Sequence, residues 1–303
     1  MNDCRDSYLL QYSPIMTPLR TAAAALLYAT LAPAQTPPAE APKLPISEPI
    51  APAAKPGESL PLIPGGGKTV PKSVPLASPE TGVAIKNPSD LSTYPQRYRA
   101  LLGQAMSSFH TRDFKGALAS LVKADEIMPA TPWSLNVRGA IAIEQRQWEE
   151  GARNCVEALR IDPGFFPAKF NLCEIPFYQG KHTEARGMFE RLLAQQPKDE
   201  LLMYRIFLTY LLEGDVLNTD TWLKKMPFPS ETPAYQYAHI AYFMHLEQQA
   251  KGANDQARAE KAAEQVAEWI KSAEFIWPEV KRANFVDVLM QLGWMKLTDL
   301  PTQ

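Results

Sequence analysis

The spacing of three prolines constrains the fold of this chain more than any other feature. Pro129, Pro163 and Pro197 follow one another at a constant interval, which sets a 34-residue period. Small or apolar residues stand five and twelve positions before each proline: Ala124 and Ala117, Ala158 and Gly151, Leu192 and Ala185. Eight positions before the prolines stand Leu121, Cys155 and Phe189. This pattern predicts stacked helix-turn-helix units, because small residues recur where two helices touch and no single unit can bury its apolar face alone.

The period delimits three repeats, over residues 98–131, 132–165 and 166–199. The third contains Tyr178-Gln179-Gly180-Lys181 as its helix turn, and Gly139 stands at a close-contact position of the second. On these motifs the chain resembles the tetratricopeptide repeat (TPR) family, of the exported bacterial type. The resemblance implies an all-α fold, a right-handed α-solenoid of about five helix-turn-helix repeats.

After residue 199 the pattern weakens but does not disappear. In the fourth pair Thr219 replaces the small residue, and Phe228-Pro229 ends the second helix early. A fifth pair is expected over residues 235–249 and 255–275, separated by an insertion near residues 251–254.

The segment 279–293 predicts a capping helix. Phe285, Val288, Leu289 and Leu292 lie on one face of it at helical spacing. A terminal helix of this kind shields a core that the last repeat leaves open. We therefore expect the repeat domain over residues 93–296 and a short tail over residues 297–303.

Residues 1–34 have the pattern of a secretory signal peptide. Arg20 precedes an apolar run over residues 22–32, and Ala32-Pro33-Ala34 has the form of a cleavage site. The run is too short to span a bilayer, which needs about 20 apolar residues. We expect residues 1–34 to be a signal peptide, with Met1 or Met16 as the initiator, and the protein to be periplasmic or secreted. An uncleaved signal that tethers the protein to the membrane is the alternative.

Proline is concentrated between this signal and the repeats. Of 28 prolines in the chain, 14 lie between residues 37 and 95. Proline fixes φ and removes a backbone donor, so neither a helix nor a sheet interior can persist there. Residues 35–92 are therefore predicted to be a disordered linker that acts as a spacer.

Charge and residue spacing argue against several functions. A formal charge of −2 offers no basic stripe for nucleic acid. The four histidines are not spaced as metal ligands: His110, His182, His239 and His245. No serine, histidine and acid grouping at a strained turn indicates a nucleophile. We therefore expect no metal, no cofactor and no enzymatic activity. The alternative, an enzyme, would need its active site in the fifth pair and its insertion.

Cys155 and Cys173 fall at two core positions on helices that should pack side by side. One interpretation is two buried free cysteines that act as small hydrophobes. The alternative is a disulfide, which an oxidising exported compartment would permit and which would stabilise the fold by roughly 3 kcal/mol in the chain-entropy model.

The resemblance also predicts where a partner would bind. In TPR proteins the concave groove is lined by fixed positions of each first helix, and carrying those positions over gives an aromatic and apolar stripe. The residues predicted to form it are Phe109, Trp133, Phe170, Phe177, Tyr178, Tyr204, Leu208 and Tyr242. The resemblance thus implies a non-catalytic scaffold that binds a partner helix or peptide. Two alternatives remain: these aromatics pack internally, or the protein bridges an envelope complex through its convex or terminal faces.

Overall fold

The described part of the chain is built from helices and contains no strand. The computed structural model describes residue 85 and residues 87–295. The predicted signal peptide, almost all of the predicted linker and the predicted tail lie outside the described residues. Eleven α-helices follow one another within them: α1 (Gln96–His110), α2 (Phe114–Asp125), α3 (Pro132–Glu144), α4 (Trp148–Ile161), α5 (Phe166–Tyr178), α6 (His182–Gln195), α7 (Glu200–Glu213), α8 (Val216–Lys225), α9 (Ala234–Gly252), α10 (Gln256–Ile276) and α11 (Glu279–Gln291).

The repeat period continues further along the chain in the spacing of the helices than in the sequence pattern. Helices α2, α4, α6 and α8 begin one full period apart, and so do α3, α5, α7 and α9. The period therefore continues through the fourth pair and into the fifth, where the sequence pattern is weak. It ends because α9 extends to 19 residues, so that α10 begins only at Gln256. The predicted insertion near residues 251–254 corresponds to this longer helix and its turn.

The turn inside each of the first four pairs uses one left-handed residue. Arg112, Arg146, Gly180 and Gly214 have φ of 60°, 59°, 77° and 72°, and they too recur once per period. Left-handed backbone costs an L-residue roughly 1–2 kcal/mol, a cost that glycine does not carry. The turn therefore has the same backbone geometry in four consecutive pairs, whether or not its residue is glycine.

Aspartates cap the second helices of the first and fourth pairs. Asp113 accepts a hydrogen bond from the backbone N–H of Gly116 at 2.9 Å, and Asp215 accepts one from the backbone N–H of Asn218 at 3.1 Å. Each bond satisfies a backbone donor that has no partner within the first turn of its helix. The caps thus fix where α2 and α8 begin.

Paired helices approach closely where the sequence predicts small residues. A Cβ atom added to Gly139 of α3 would lie 2.8 Å from Sγ of Cys155 in α4. Ala117 of α2 and Ala185 of α6, each one period from Gly151 of α4, are fully buried. Leu121, Cys155 and Phe189 are also fully buried, as their spacing predicts. The prediction of an all-α array of five helix pairs with a capping helix is confirmed.

First helices of neighbouring pairs also contact each other. Helix α1 packs on α3, α3 on α5, and α7 on α9. An ion pair between Glu174 and Arg205 joins α5 to α7. The first helices of the five pairs, α1, α3, α5, α7 and α9, therefore form one layer along the array. The second helices, α2, α4, α6, α8 and α10, form the other. This arrangement places the side chains of several repeats on one common face.

The last described residues of the predicted linker contact the helical array. Tyr94 stacks on Tyr98 with ring centroids 5.2 Å apart, and its hydroxyl donates to the carbonyl of Pro88 at 2.9 Å. The hydroxyl of Ser89 donates to the Asp162 carboxylate at the end of α4. The structured region thus includes a short stretch before residue 93.

Helix α11 covers the C-terminal end of the core, as expected of a capping helix. Phe285, Val288 and Leu289 are buried, and α11 packs against α9. No helix among the described residues has the length and apolar content needed to cross a membrane.

Candidate functional site

Four consecutive first helices present side chains to one small cavity of about 50 Å³. We call the apolar surface around it the first-helix face. It is formed by Phe109 of α1, Ala140 and Ile143 of α3, Phe170 and Tyr178 of α5, and Leu201 of α7. Polar side chains complete the lining: Glu144, Asn171, Glu174 and Arg205, with Asn284 and Asp287 from α11. The cavity therefore lies between the layer of first helices and the C-terminal helix.

The eight predicted groove residues divide into two groups. Phe109, Phe170 and Tyr178 line the cavity. The remaining five do not: Trp133, Phe177, Tyr204, Leu208 and Tyr242. Of these five, all except the half-buried Tyr242 are buried. Whether any of the eight residues contacts a partner stays a prediction.

Aromatic packing explains why several predicted groove residues belong to the core. Trp133 meets Phe165 edge to face, with ring centroids 5.0 Å apart. Tyr204 lies under α11, 5.3 Å from the ring of Phe285. Rings in such contacts bury large apolar areas. These side chains therefore fill the space between helices. They fit the alternative interpretation, in which the predicted groove aromatics pack internally.

A buried ion pair lies at the centre of the face. Nε of Arg205 donates to one carboxylate oxygen of Glu174 at 2.7 Å, and Nη2 donates to the other at 3.3 Å. The side chains are only 4% and 8% exposed. Burial alone would lower the pKa of Arg205, but the Glu174 carboxylate outweighs it and holds that pKa above its ordinary range. Arg205 therefore stays charged, and its bonds to Glu174 fix α5 against α7.

Sequence analysis missed the role of Arg205, although one signal for it exists. Helix α7 is otherwise apolar except at its ends and at Thr209, so a cation in its middle needs a buried partner. Glu174, one repeat earlier, is the only acid inside α5. This ion pair joins two separate repeats. The residue pattern of one helix does not show which side chain of another repeat it meets.

Tyr178 lies beside this ion pair. Its pKa is raised well above the ordinary value, first by burial and then by the nearby Glu174 carboxylate. The phenol therefore stays protonated at neutral pH and can only donate or accept a hydrogen bond. It presents an aromatic ring with a polar end, a combination that is common at protein interfaces.

Glu144, at the end of α3, is a group of this face whose pKa lies near neutral pH. Burial raises its pKa to about 7, the nearby Arg112 opposes the rise, and Asp287 adds to it. Nη2 of Arg112 lies 3.0 Å from Oε2 of Glu144. The face can therefore change its charge near neutral pH.

The cysteines and histidines are placed as follows. Cys155 and Cys173 are both free and buried in this structure, and their pairing in an oxidising compartment stays a prediction. Burial raises the pKa of Cys155 to about 12, so its reactive thiolate is scarce. Among the described residues there is no group of three histidine, cysteine or acidic side chains that could hold a metal. His239 stacks on Trp269 at 4.3 Å, and His110 lies near Asp287.

Helix α11 closes the first-helix face by crossing several first helices. Asp287 reaches His110 of α1, with 3.5 Å between Oδ2 and Nδ1. The backbone carbonyl of Asn284 accepts a hydrogen bond from Nη2 of Arg205 in α7 at 3.3 Å. Phe285 packs on Tyr237 of α9, with centroids 5.9 Å apart. One helix is thus in contact with the first, fourth and fifth pairs.

No family model matches the chain, and no curated protein matches it. Among solved structures it is similar to MamA, residues 41 to the end, from Desulfovibrio magneticus RS-1, at 17% identity and a TM-score of 0.40, over 59% of this chain and 97% of that chain. A MamA RS-1 double mutant has the same identity and coverage and a TM-score of 0.38. A tetratricopeptide repeat protein from Parabacteroides merdae ATCC 43184 is 17% identical with a TM-score of 0.38, over 66% of this chain and 75% of that chain. These likenesses are distant, so the description of the fold rests on the helix pairing itself.

Proposed function

We propose that this protein is a non-catalytic scaffold that binds a helical segment of another protein on its first-helix face. The observation that supports this most is that the face already accommodates a helix, α11, across three helix pairs. Apolar and aromatic side chains from four helices surround a few fixed polar groups there. A groove of this composition suits the apolar side of an amphipathic helix.

The same surroundings are poorly suited to small-molecule chemistry. The cavity, at about 50 Å³, is far smaller than the roughly 300–1,000 Å³ of typical ligand pockets. Its central carboxylate, Glu174, is held by Arg205, and the phenol of Tyr178 stays protonated. Both oxygens of Glu174 thus accept from the guanidinium, and the phenol of Tyr178 is not a base near neutral pH.

We further propose that the protein acts in the bacterial envelope, with residues 35–92 as a spacer behind a signal peptide. This rests on the apolar run over residues 22–32 and on the concentration of prolines. Determining the N-terminus of protein isolated from its own cells tests it. A mature chain beginning at Gln35 supports export, and an intact chain in the cytoplasm contradicts it.

A second function, bridging of a complex through the even-numbered helices, is favoured by one observation. Val122 of α2 and Val156 of α4 are 54% and 44% exposed and stand one period apart. They therefore occupy equivalent positions of two consecutive repeats, on the layer opposite to the first-helix face. A partner on that layer would leave the first-helix face free.

Site-specific photo-crosslinking in the native host separates the two functions. A photoreactive phenylalanine derivative replaces Tyr178 on the first-helix face, and the matched control replaces Val156. Scaffold binding on the first-helix face predicts adducts with another protein at position 178 and not at position 156. Adducts at position 156 alone favour the bridging function, and a protein that gives no adduct with another protein at either position contradicts both.

A further inference from the structure

We propose that α11 is an intramolecular occupant of the first-helix face, and that the external partner is an amphipathic helix that takes its place. This inference rests on the proposed function and specifies it. The partner helix would carry an aromatic side chain for the site of Phe285 and a polar acceptor for Arg205. It would thus reproduce the aromatic contact of Phe285 and make a shorter hydrogen bond to Arg205 than α11 makes.

The path of α11 extends beyond the fifth pair. A helix that only capped this pair would need contacts with α9 and α10, which α11 makes through Phe285 and Arg282. Helix α11 also extends to Arg205 on α7 and to His110 on α1. This path runs along the cavity, which Asn284 and Asp287 border. The helix therefore lies where a bound helix would lie.

One aromatic residue anchors α11. The Phe285 ring is buried between Tyr204 and Tyr237, with centroids 5.3 Å and 5.9 Å away. Buried aromatic anchors commonly dominate the energy of helix binding. Val288 and Leu289 add apolar area beside this anchor.

The polar contacts of α11 with the first-helix face are incomplete. The carbonyl of Asn284 is 3.3 Å from Nη2 of Arg205, which is long for a charged donor. Nη1 of Arg205 and the hydroxyl of Tyr204 are buried and make no hydrogen bond among the described residues. A buried polar atom without a partner costs free energy. A ligand with a better-placed acceptor would therefore bind this face more strongly than α11 does.

The charge of Asp287 also fits the first-helix face poorly. The Asp287 carboxylate faces a surface that also contains Glu144 and Glu174. Arg112, His110 and Arg205 are the basic groups near them. Asp287 contributes to the unfavourable environment of the Glu144 carboxylate. Against the first-helix face α11 is thus held mainly by its covalent link and by apolar contacts, while its Arg282 pairs with Glu274 of α10 at 3.7 Å.

Proximity explains how an imperfect ligand can occupy the face. Only Trp277 and Pro278 separate α10 from α11. A short tether gives an effective concentration of roughly millimolar order, so an external helix must compete with α11. The apparent affinity of the partner is reduced by the fraction of chains in which α11 is bound.

The test uses a fluorescent synthetic peptide with the sequence of residues 279–291 and the full chain. Phe285→Asp removes the anchor of α11 in cis and exposes the face. The matched control is Phe275→Asp, because Phe275 on α10 is 86% exposed. We expect the peptide to bind the Phe285→Asp chain roughly tenfold or more tighter than the wild-type or Phe275→Asp chain. A peptide that itself carries Phe285→Asp should bind none of the three.

Equal peptide binding to all chains, or no binding to a folded Phe285→Asp chain, overturns the inference. If circular dichroism shows that this variant is unfolded, Leu289→Ala, which removes a buried apolar contact of α11, replaces it, and amide exchange in α11 is measured as well. Faster exchange confined to α11 with tighter peptide binding supports the proposal, and unchanged exchange and binding overturn it.

Crosslinking distinguishes failure of this inference from failure of the proposed function. Absence of adducts with another protein at position 178 in every chain defeats the proposed function. The inference alone fails under a different pair of results. Adducts form, but their yield is no higher in the Phe285→Asp chain than in the Phe275→Asp chain, and excess peptide does not lower that yield.

Discussion

The imidazole of His110 lies 3.5 Å from the carboxylate of Asp287, so the first and last helices of the described residues are in contact. The two residues are 177 positions apart in the sequence. Between them the array turns far enough that α11 closes the face formed by α1, α3, α5 and α7. This contact makes the C-terminal helix part of the candidate binding site.

The buried pair of Glu174 and Arg205 leads to the first prediction. Glu174→Gln leaves the Arg205 guanidinium buried without its counter-charge, and we expect a loss of about 3–5 kcal/mol in the free energy of unfolding. Urea unfolding measures it. The control is Asp220→Asn, which breaks the exposed pair with Lys224 and should cause no measurable loss. Equal stability of the two variants would show that the buried pair does not join α5 to α7.

The left-handed turn residue leads to the second prediction. Gly180 has φ of +77° and no atom within 4 Å of an added Cβ, so Gly180→Ala introduces backbone strain alone. We expect it to destabilise the fold by about 1–2 kcal/mol. Gly187→Ala is the matched control, because this glycine lies inside α6 and an added Cβ makes only an ordinary contact with Arg191.

The control should stabilise the fold by about 0.5–1 kcal/mol, because alanine favours a helix interior over glycine. Thermal unfolding of both variants measures the two effects. The same sign for both substitutions would contradict the turn geometry that recurs in every one of the first four pairs.

Glu144 leads to the third prediction, on pH. Burial raises its pKa to about 7, against the opposing effect of Arg112. Between about pH 4.5 and 7 the folded chain keeps a proton that the unfolded chain has released, so the contribution of this group to stability falls as the pH rises. The loss is complete above pH 7 and is up to about 3 kcal/mol.

Glu144→Gln should therefore be more stable than wild type at pH 8 and should show a smaller decrease in stability from pH 5 to pH 8. Urea unfolding across this range, with the difference taken at each pH, isolates Glu144 from the histidines. Parallel curves for the two proteins would show that Glu144 has an ordinary pKa.

Much of the fold could be predicted from the sequence because its pattern is local. Ala117, Ala185 and Leu121 are buried as their positions in the repeat period require. The fourth pair keeps the period although Thr219 replaces a small residue, because the buried threonine still fits at the close contact. Helix α11 was predicted from the spacing of Phe285, Val288 and Leu289.

The site was less predictable, because it depends on contacts between distant repeats. Periodicity places Tyr204 on a first helix but does not show that Phe285 covers it. Arg205 and Glu174 meet only when α5 and α7 pack, and His110 meets Asp287 only through the curvature of the whole array. Three of the residues chosen from the family positions, Phe109, Phe170 and Tyr178, line the cavity, and whether they bind a partner stays a prediction.

The most direct test of the account is whether α11 lies against α1 in solution. In a chain with Cys4→Ser, the pair His110→Cys and Asp287→Cys is treated with a short bismaleimide and the monomeric cross-linked product is measured. The control pair is His110→Cys with Glu279→Cys, eight residues or about 12 Å further along the helix. We predict rapid intramolecular cross-linking of the first pair, slow cross-linking of the control, and a decrease for the first pair when Phe285→Asp is added. Equally slow cross-linking of both pairs would show that α11 does not occupy the first-helix face.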